Sequence, residues 1–160
     1  MTRNTTRTAR TALFSATLLT AVLLGGAIAP TAAADTLSCS AGRSTVSTAT
    51  SNRDFPNGGL CLVNGSYKAV YQNDGNFVVY RSSSALWTSG TSGRGATKIS
   101  LQGDSNLVVY GAGALWASNT AAGKRWNDTK LAMQSDGNLV LYGVGDGRST
   151  ALWSSGTNGR

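Results

Sequence analysis

The chain contains no histidine and no glutamate, so its seven acidic residues are all aspartates. Ser-His-Asp hydrolysis, Cys-His proteolysis and histidine-based zinc sites each lose an essential member. Charge is sparse, at 13% of residues, and Lys124-Arg125 is the one adjacent basic pair. A protein that tracks a nucleic-acid backbone gathers its lysines and arginines into a stripe, and this chain does not, so nucleic acid is set aside as a partner. Helical periodicity is missing from everything after the N-terminal segment, which disfavours helix throughout.

The N-terminus has the three parts of an export signal. Arg3, Arg7 and Arg10 form a positive region, residues 12–29 are apolar and nearly uncharged, and Ala32-Ala33-Ala34 offers a small-residue cleavage site. We expect residues 1–34 to be a signal peptide and the mature chain to start at Asp35. The apolar run is short for a spanning helix and ends at Pro30, so no membrane insertion is expected once the signal is cleaved, and the protein is expected to be secreted. Without its three signal arginines the chain keeps eleven basic residues against seven acidic ones, an excess of four. The remaining 126 residues suit one domain. Cys39 and Cys61 are the only cysteines, and a pair in an exported protein reads as one disulfide.

What the sequence does have is a nine-residue pattern written three times. Gln72-Asn73-Asp74-Gly75-Asn76-Phe77-Val78-Val79-Tyr80 is followed by Gln102-Gly103-Asp104-Ser105-Asn106-Leu107-Val108-Val109-Tyr110 and by Gln134-Ser135-Asp136-Gly137-Asn138-Leu139-Val140-Leu141-Tyr142. Each copy is trailed by an echo: Ala85-Leu86-Trp87, Ala114-Leu115-Trp116 and Ala151-Leu152-Trp153, each followed by a Ser-x-Thr step. Short apolar stretches broken by Gly, Ser, Asn and Asp predict an all-β repeat. A strand enters each motif from Lys68, Lys98 or Lys130, turns at the Asp-Gly or Asp-Ser step, and leaves as a second strand. In that second strand Asn, the central Val and Tyr share one face, while Phe77 and Val79, Leu107 and Val109, and Leu139 and Leu141 face the core. About 30 residues cannot bury an apolar face alone, so the three units are expected to close around a common axis with their Trp residues inside.

The row left outward, Gln, Asp, Asn, Val and Tyr, combines amides that donate and accept with one carboxylate, one small apolar contact and one phenol. A pyranose presents neighbouring hydroxyls that each donate and accept, and such a row can answer several at once. A site that must pair every one of them rejects isomers that leave one unpaired. Asp-Gly-Asn is also an ordinary hairpin turn, but turn chemistry alone does not require Gln two before the Asp and Tyr four after the Asn in all three copies. Lys124-Arg125-Trp126 is unrepeated and reads as a solvated connection.

The pattern Gln-x-Asp-x-Asn-x-Val-x-Tyr, present three times with its Trp echoes, closely resembles the bulb-type, or monocot-type, mannose-binding lectins over about residues 65–157. The resemblance implies a β-prism II fold, three four-stranded sheets about a pseudo-threefold axis, with one mannose per motif and no metal or other cofactor. It assigns the first site to Gln72, Asp74, Asn76, Val78 and Tyr80, the second to Gln102, Asp104, Asn106, Val108 and Tyr110, and the third to Gln134, Asp136, Asn138, Val140 and Tyr142. Within each, Asp and Asn would take the region of the 2-hydroxyl, Gln the 3-hydroxyl, Tyr the 4-hydroxyl, and Val the ring carbons. The expected partners are mannose-containing glycans. Family dimers often exchange terminal strands, which keeps a homodimer among the expected assemblies. Three features depart from the familiar pattern: both cysteines precede the first motif, residues 35–56 are longer and less apolar than the usual first strand, and the Tyr142 to Trp153 connection is longer than its counterparts.

Other readings are a toxin or bacteriocin-like effector that uses the same glycan sites, a glycosidase, and a structural β-protein with degenerate sites. A glycosidase normally needs two carboxyls about 5 to 9.5 Å apart, and each motif carries one Asp flanked by amides. The reading is therefore a secreted carbohydrate-binding protein and not an enzyme.

Overall fold

The computed structural model describes Cys39 and residues 43–48, 52–121 and 126–160. The expected signal over residues 1–34 and the Lys124-Arg125 pair lie outside these residues. The described chain forms twelve β-strands: β1 (Thr45–Thr48), β2 (Arg53–Pro56), β3 (Leu60–Asn64), β4 (Tyr67–Tyr71), β5 (Phe77–Arg81), β6 (Ser84–Thr88), β7 (Lys98–Leu101), β8 (Leu107–Tyr110), β9 (Ala114–Ala117), β10 (Asp128–Met133), β11 (Leu139–Gly145) and β12 (Arg148–Ser154). They make three four-stranded sheets, in the orders β3-β4-β5-β6, β2-β7-β8-β9 and β1-β10-β11-β12. All pairings are antiparallel.

Each motif is the hairpin between the second and third strands of one sheet, and its period-2 alternation decides what is buried. Phe77, Val79, Leu107, Val109, Leu139 and Leu141 are fully buried in one core shared by the three sheets. The preceding strands add Tyr71, Leu101 and Met133 to it. Fourth strands carry two neighbouring apolar residues, Leu and Trp. A register shift lies between Val79 and Tyr80, between Val109 and Tyr110, and between Leu141 and Tyr142. In each case the Leu of Ala-Leu-Trp is the residue without a partner, which marks a β-bulge in the fourth strand directly opposite the motif Tyr. This extra residue returns Trp87, Trp116 and Trp153 to the inner face. Their rings form a triangle with centroids 5.3 to 5.5 Å apart and interplanar angles of 68° to 75°. Edge-to-face contact of this kind adds about 0.5 to 1.5 kcal/mol per pair beyond the area buried. The three Trp thus pack against the core, as their setting predicted.

The stretch before the first motif supplies what the repeats lack. Each repeat provides three strands, and β1, β2 and β3 complete the three sheets in turn. Residues 35–56, unusual for a single first strand, therefore contain two strands that join different sheets. Cys39 and Cys61 form a disulfide, with Cα atoms 5.5 Å apart, and the Val63 amide donates to the Arg43 carbonyl at 2.6 Å. Cys39 and Arg43 are thereby held beside β3. Closing a loop of 22 residues contributes about 3 kcal/mol in the chain-entropy model.

Two departures in the third repeat share one explanation. β11 and β12 are seven residues each and end in a two-residue turn at Asp146 and Gly147, both with positive φ, as a type I′ hairpin requires. Trp126 lies against Gly143, where any side chain on the strand would overlap its indole. Trp126 is half-buried and is not part of a solvated connection. It covers the extended hairpin at a position that only glycine leaves open.

Candidate functional site

The same hydrogen-bond scheme is built three times. The amide of Gln72, Gln102 and Gln134 donates to the carbonyl of Asn76, Asn106 and Asn138 at 2.8 to 2.9 Å, which closes the motif turn. Its third residue, Gly75, Ser105 or Gly137, has φ of 80°, 74° or 90°, a region that glycine enters without penalty and serine does not. Within the turn, Asp Oδ1 accepts from the amide of the Asn two residues on, at 2.9, 3.0 and 2.9 Å, an Asx turn. Asn Oδ1 faces inward. It accepts from Ser89, Ser118 or Ser155 Oγ at 3.1, 3.0 and 3.2 Å and from the amide of Thr91, Thr120 or Thr157 at 3.1 to 3.3 Å. Across the hairpin, Gln Nε2 donates to Tyr Oη at 2.9, 3.1 and 2.7 Å.

Subtracting these internal bonds from what each group can form leaves a defined set. Gln keeps Oε1 as an acceptor and one Nε2 hydrogen, Asp keeps room to accept at Oδ2, Asn keeps both Nδ2 hydrogens, and Tyr, having accepted, keeps its hydroxyl hydrogen to donate. These acceptors and donors stand at alternate positions of one hairpin, and as a set they complement adjacent sugar hydroxyls. Among the described residues no three Cys or Asp side chains gather as a metal site would require.

Motif residues are unevenly exposed, which corrects the expectation of an outward row. Asp74, Asp104 and Asp136 are exposed, while Asn and Tyr are half-buried in every copy. Gln72 is 5% exposed, and Val78, Val108 and Val140 only 2 to 3%. Each Val is hemmed by cross-strand neighbours on its own face: Val70 and Thr88, Ser100 and Ala117, or Ala132 and Ser154. The result is a shallow recess with Val at its floor and the carboxylate at its rim.

Two sets of residues were not recognised as part of the site in the sequence. The Ser-x-Thr echoes are keystones: Thr91, Thr120 and Thr157 donate from Oγ1 to the carbonyl at the top of the turn, at 2.6, 2.5 and 2.6 Å. Lys68, Lys98 and Lys130 stand opposite the motif Tyr in register, with Nζ 5.1, 5.5 and 5.4 Å from its ring centroid. The signal was present, since each Lys lies four residues before its Gln. It reads as an ordinary strand start until the register is known.

Each turn is also propped by the next repeat. Gly75 rests on Ala96, Gly137 on the ring of Tyr67, and Ser105 Oγ accepts from Thr129 Oγ1 at 2.9 Å. The sites differ at their margins. Ser92 Oγ donates to Asp74 Oδ2 at 2.7 Å, where the other copies have Ala121 and Asn158. Lys98 pairs with Asp54 on β2 at 2.6 Å, and the hydrogen bond from Lys98 holds that carboxyl below its usual pKa. Behind the first site Tyr71 is fully buried, and burial, with the charge of Asp74 adding, pushes its phenol up to about 12.

No family model matches the chain. In sequence it is 48% identical over 62 residues to the B-type lectin plumieribetin of Scorpaena plumieri, a stretch that makes up 38% of this chain and 54% of that protein. The chain thus spans about half the length of the sequence relatives it matches. Among solved structures, a monomeric monocot mannose-binding lectin of Gastrodia elata is 36% identical with a TM-score of 0.60, over 72% of this chain and 98% of that one. The chain belongs to the bulb-type mannose-binding lectin family. The mannose-specific agglutinin of snowdrop, Galanthus nivalis, solved with methyl-α-D-mannoside, agrees: 30% identity and a TM-score of 0.55, over 72% of this chain and 97% of that one. The three sheets described above are the β-prism that this membership implies.

Proposed function

We propose that this bulb-type lectin is an exported mannose-binding protein with three metal-independent sites, at residues 72–80, 102–110 and 134–142. The observation that carries the reading is the threefold recurrence of the same open groups. Gln Oε1, Asn Nδ2 and the Tyr hydroxyl hydrogen remain unspent in each copy after the fold's own hydrogen bonds are made, and Asp Oδ2 keeps room to accept, in the first copy beside the bond from Ser92. Asp and Asn meet the 2-hydroxyl, Gln the 3-hydroxyl and Tyr the 4-hydroxyl, and the edge of Val touches the ring carbons. The Asp bond is charge-assisted. Each motif carries one carboxylate flanked by amides, which suits reversible binding and not the paired carboxyls of glycoside hydrolysis.

Single sites of this kind bind in the millimolar range, about −4 kcal/mol. Useful affinity arises when a branched glycan engages several sites on one molecule. Export is supported by the Arg-flanked apolar N-terminus and by the Cys39–Cys61 disulfide, which belongs in an oxidising compartment. The test is retention on mannan-agarose. Elution by methyl α-mannoside but not by galactose, with or without a chelator, is the expected result; failure to bind, or release by chelator, contradicts it. Recovery from the culture medium of a chain that begins at Asp35 is the matching test of export.

A further inference from the structure

The three recesses carry the same motif but not the same charge. Each has a lysine over its tyrosine ring, half-buried and fixed in register. In the second recess that charge is spent, because Lys98 Nζ lies 2.6 Å from Asp54 Oδ2. In the third, Asp128 stands two residues before Lys130 on the same face of β10, and the two form no ion pair with each other. In the first, β3 carries no acidic residue, Ser66 holds the position of Asp128, and Arg81 follows Tyr80 where the other copies have Gly111 and Gly143. Lys68 has no ion-pair partner among the described residues. Positive charge beside the motif therefore falls from the first site to the third to the second.

We propose that the first site takes mannose bearing an anionic substituent, a phosphate monoester in its simplest form, with Lys68 as the counter-charge, and that Asp54 keeps the second site for neutral sugar. This rests on the mannose-binding reading above. Tyr80 Oη accepts from Gln72 and so keeps its hydrogen to donate, and the lysine over its ring stands beside the phenol assigned to the sugar's 4-hydroxyl. The neighbouring substituent on that side is the exocyclic 6-position. A phosphate there carries a charge of about −1.5 to −2 and meets Lys68 at the partly exposed margin of the recess. At that exposure one lysine is worth roughly a three- to tenfold preference, which salt should erase.

The test compares methyl α-mannoside with its 6-phosphate by calorimetric titration, at about 10 mM and about 1 M salt, where the screening length is about 30 and 3 Å. The full protein is used with all but one motif disabled. With only the first site intact (Asp104→Asn, Asp136→Asn), we expect roughly three- to tenfold tighter binding of the phosphate at low salt and no preference at high salt. Adding Lys68→Gln should remove the preference. With only the second site intact (Asp74→Asn, Asp136→Asn), the neutral sugar should bind at least as well as the phosphate, and Asp54→Asn should shift the ratio toward phosphate by freeing Lys98. A first site that binds methyl α-mannoside with no preference for the phosphate, or an Asp54→Asn change that leaves the ratio where it was, overturns the inference alone. A first site that binds neither sugar overturns the mannose reading as well.

Discussion

Replacing Thr91 by valine, nearly the same shape without the hydroxyl, tests whether the Ser-x-Thr echoes hold the sites up. Thr91 is fully buried. Its single hydroxyl hydrogen goes to the Gly75 carbonyl at 2.6 Å, which leaves Ser89 to share its own between Thr91 Oγ1 at 2.7 Å and Asn76 Oδ1 at 3.1 Å. In Thr91→Val, Ser89 can still donate to Asn76, but the carbonyl of the buried Gly75 loses that partner. An orphaned buried acceptor costs about 1 to 3 kcal/mol, so a loss of about 2 kcal/mol is expected. For a domain of this size that lowers the melting temperature by about 8 °C. The first site should lose affinity for mannoside too, since the turn that aims Asp74 is no longer pinned. Thr88→Val is the control: Thr88 also bonds Asn76 Oδ1, at 2.8 Å, but it is exposed, and water replaces it at a cost within about 0.5 kcal/mol. Thermal unfolding with the disulfide intact reads both. If Thr91→Val costs no more than Thr88→Val, the keystone argument is wrong.

Tyr71→Phe should raise stability at neutral pH by about 1 kcal/mol, because the Tyr71 hydroxyl is buried without a hydrogen-bond partner among the described residues; a loss in urea unfolding would mean that the phenol is satisfied. Its folded pKa of about 12 lies above the ordinary value of 10. Between those values the unfolded chain releases the proton and the folded one keeps it, so this tyrosine makes stability fall as pH rises from about 10 to 12, by at most about 1.4 kcal/mol per unit. In Tyr71→Phe that part of the fall should disappear. Gly143→Ala places a methyl inside the Trp126 indole and should cost about 1 to 3 kcal/mol, with a red-shifted tryptophan emission as the ring is driven toward water; unchanged emission and stability would show that Trp126 does not need the glycine.

The hairpins, their turn residues and the inward set Phe77 to Leu141 were legible because a period of two and a repeat of three leave few alternatives. The origin of the fourth strands was not. β1 and β2 bear no copy of the motif, and nothing local to residues 45–56 says which repeat each will complete; that is fixed by the closure of the prism. The role of Trp126 was hidden for a related reason, since its partner Gly143 signals a contact only by lacking a side chain. Within the site, the motif named the polar groups but not which of their atoms the fold would use. Asn Oδ1 is taken by the Ser-x-Thr echo and Gln Nε2 by Tyr. The burial of Val78, Val108 and Val140 follows from cross-strand neighbours that no single copy of the motif contains.

The central claim is that three copies of one recess each hold a mannose unit, and titration of the purified protein with methyl α-mannoside tests it most directly. Three equivalents bound in the millimolar range, unaffected by chelator, are expected, and none in the folded triple variant Asp74→Asn, Asp104→Asn, Asp136→Asn. No binding by the unaltered protein, or undiminished binding by the triple variant, would contradict it.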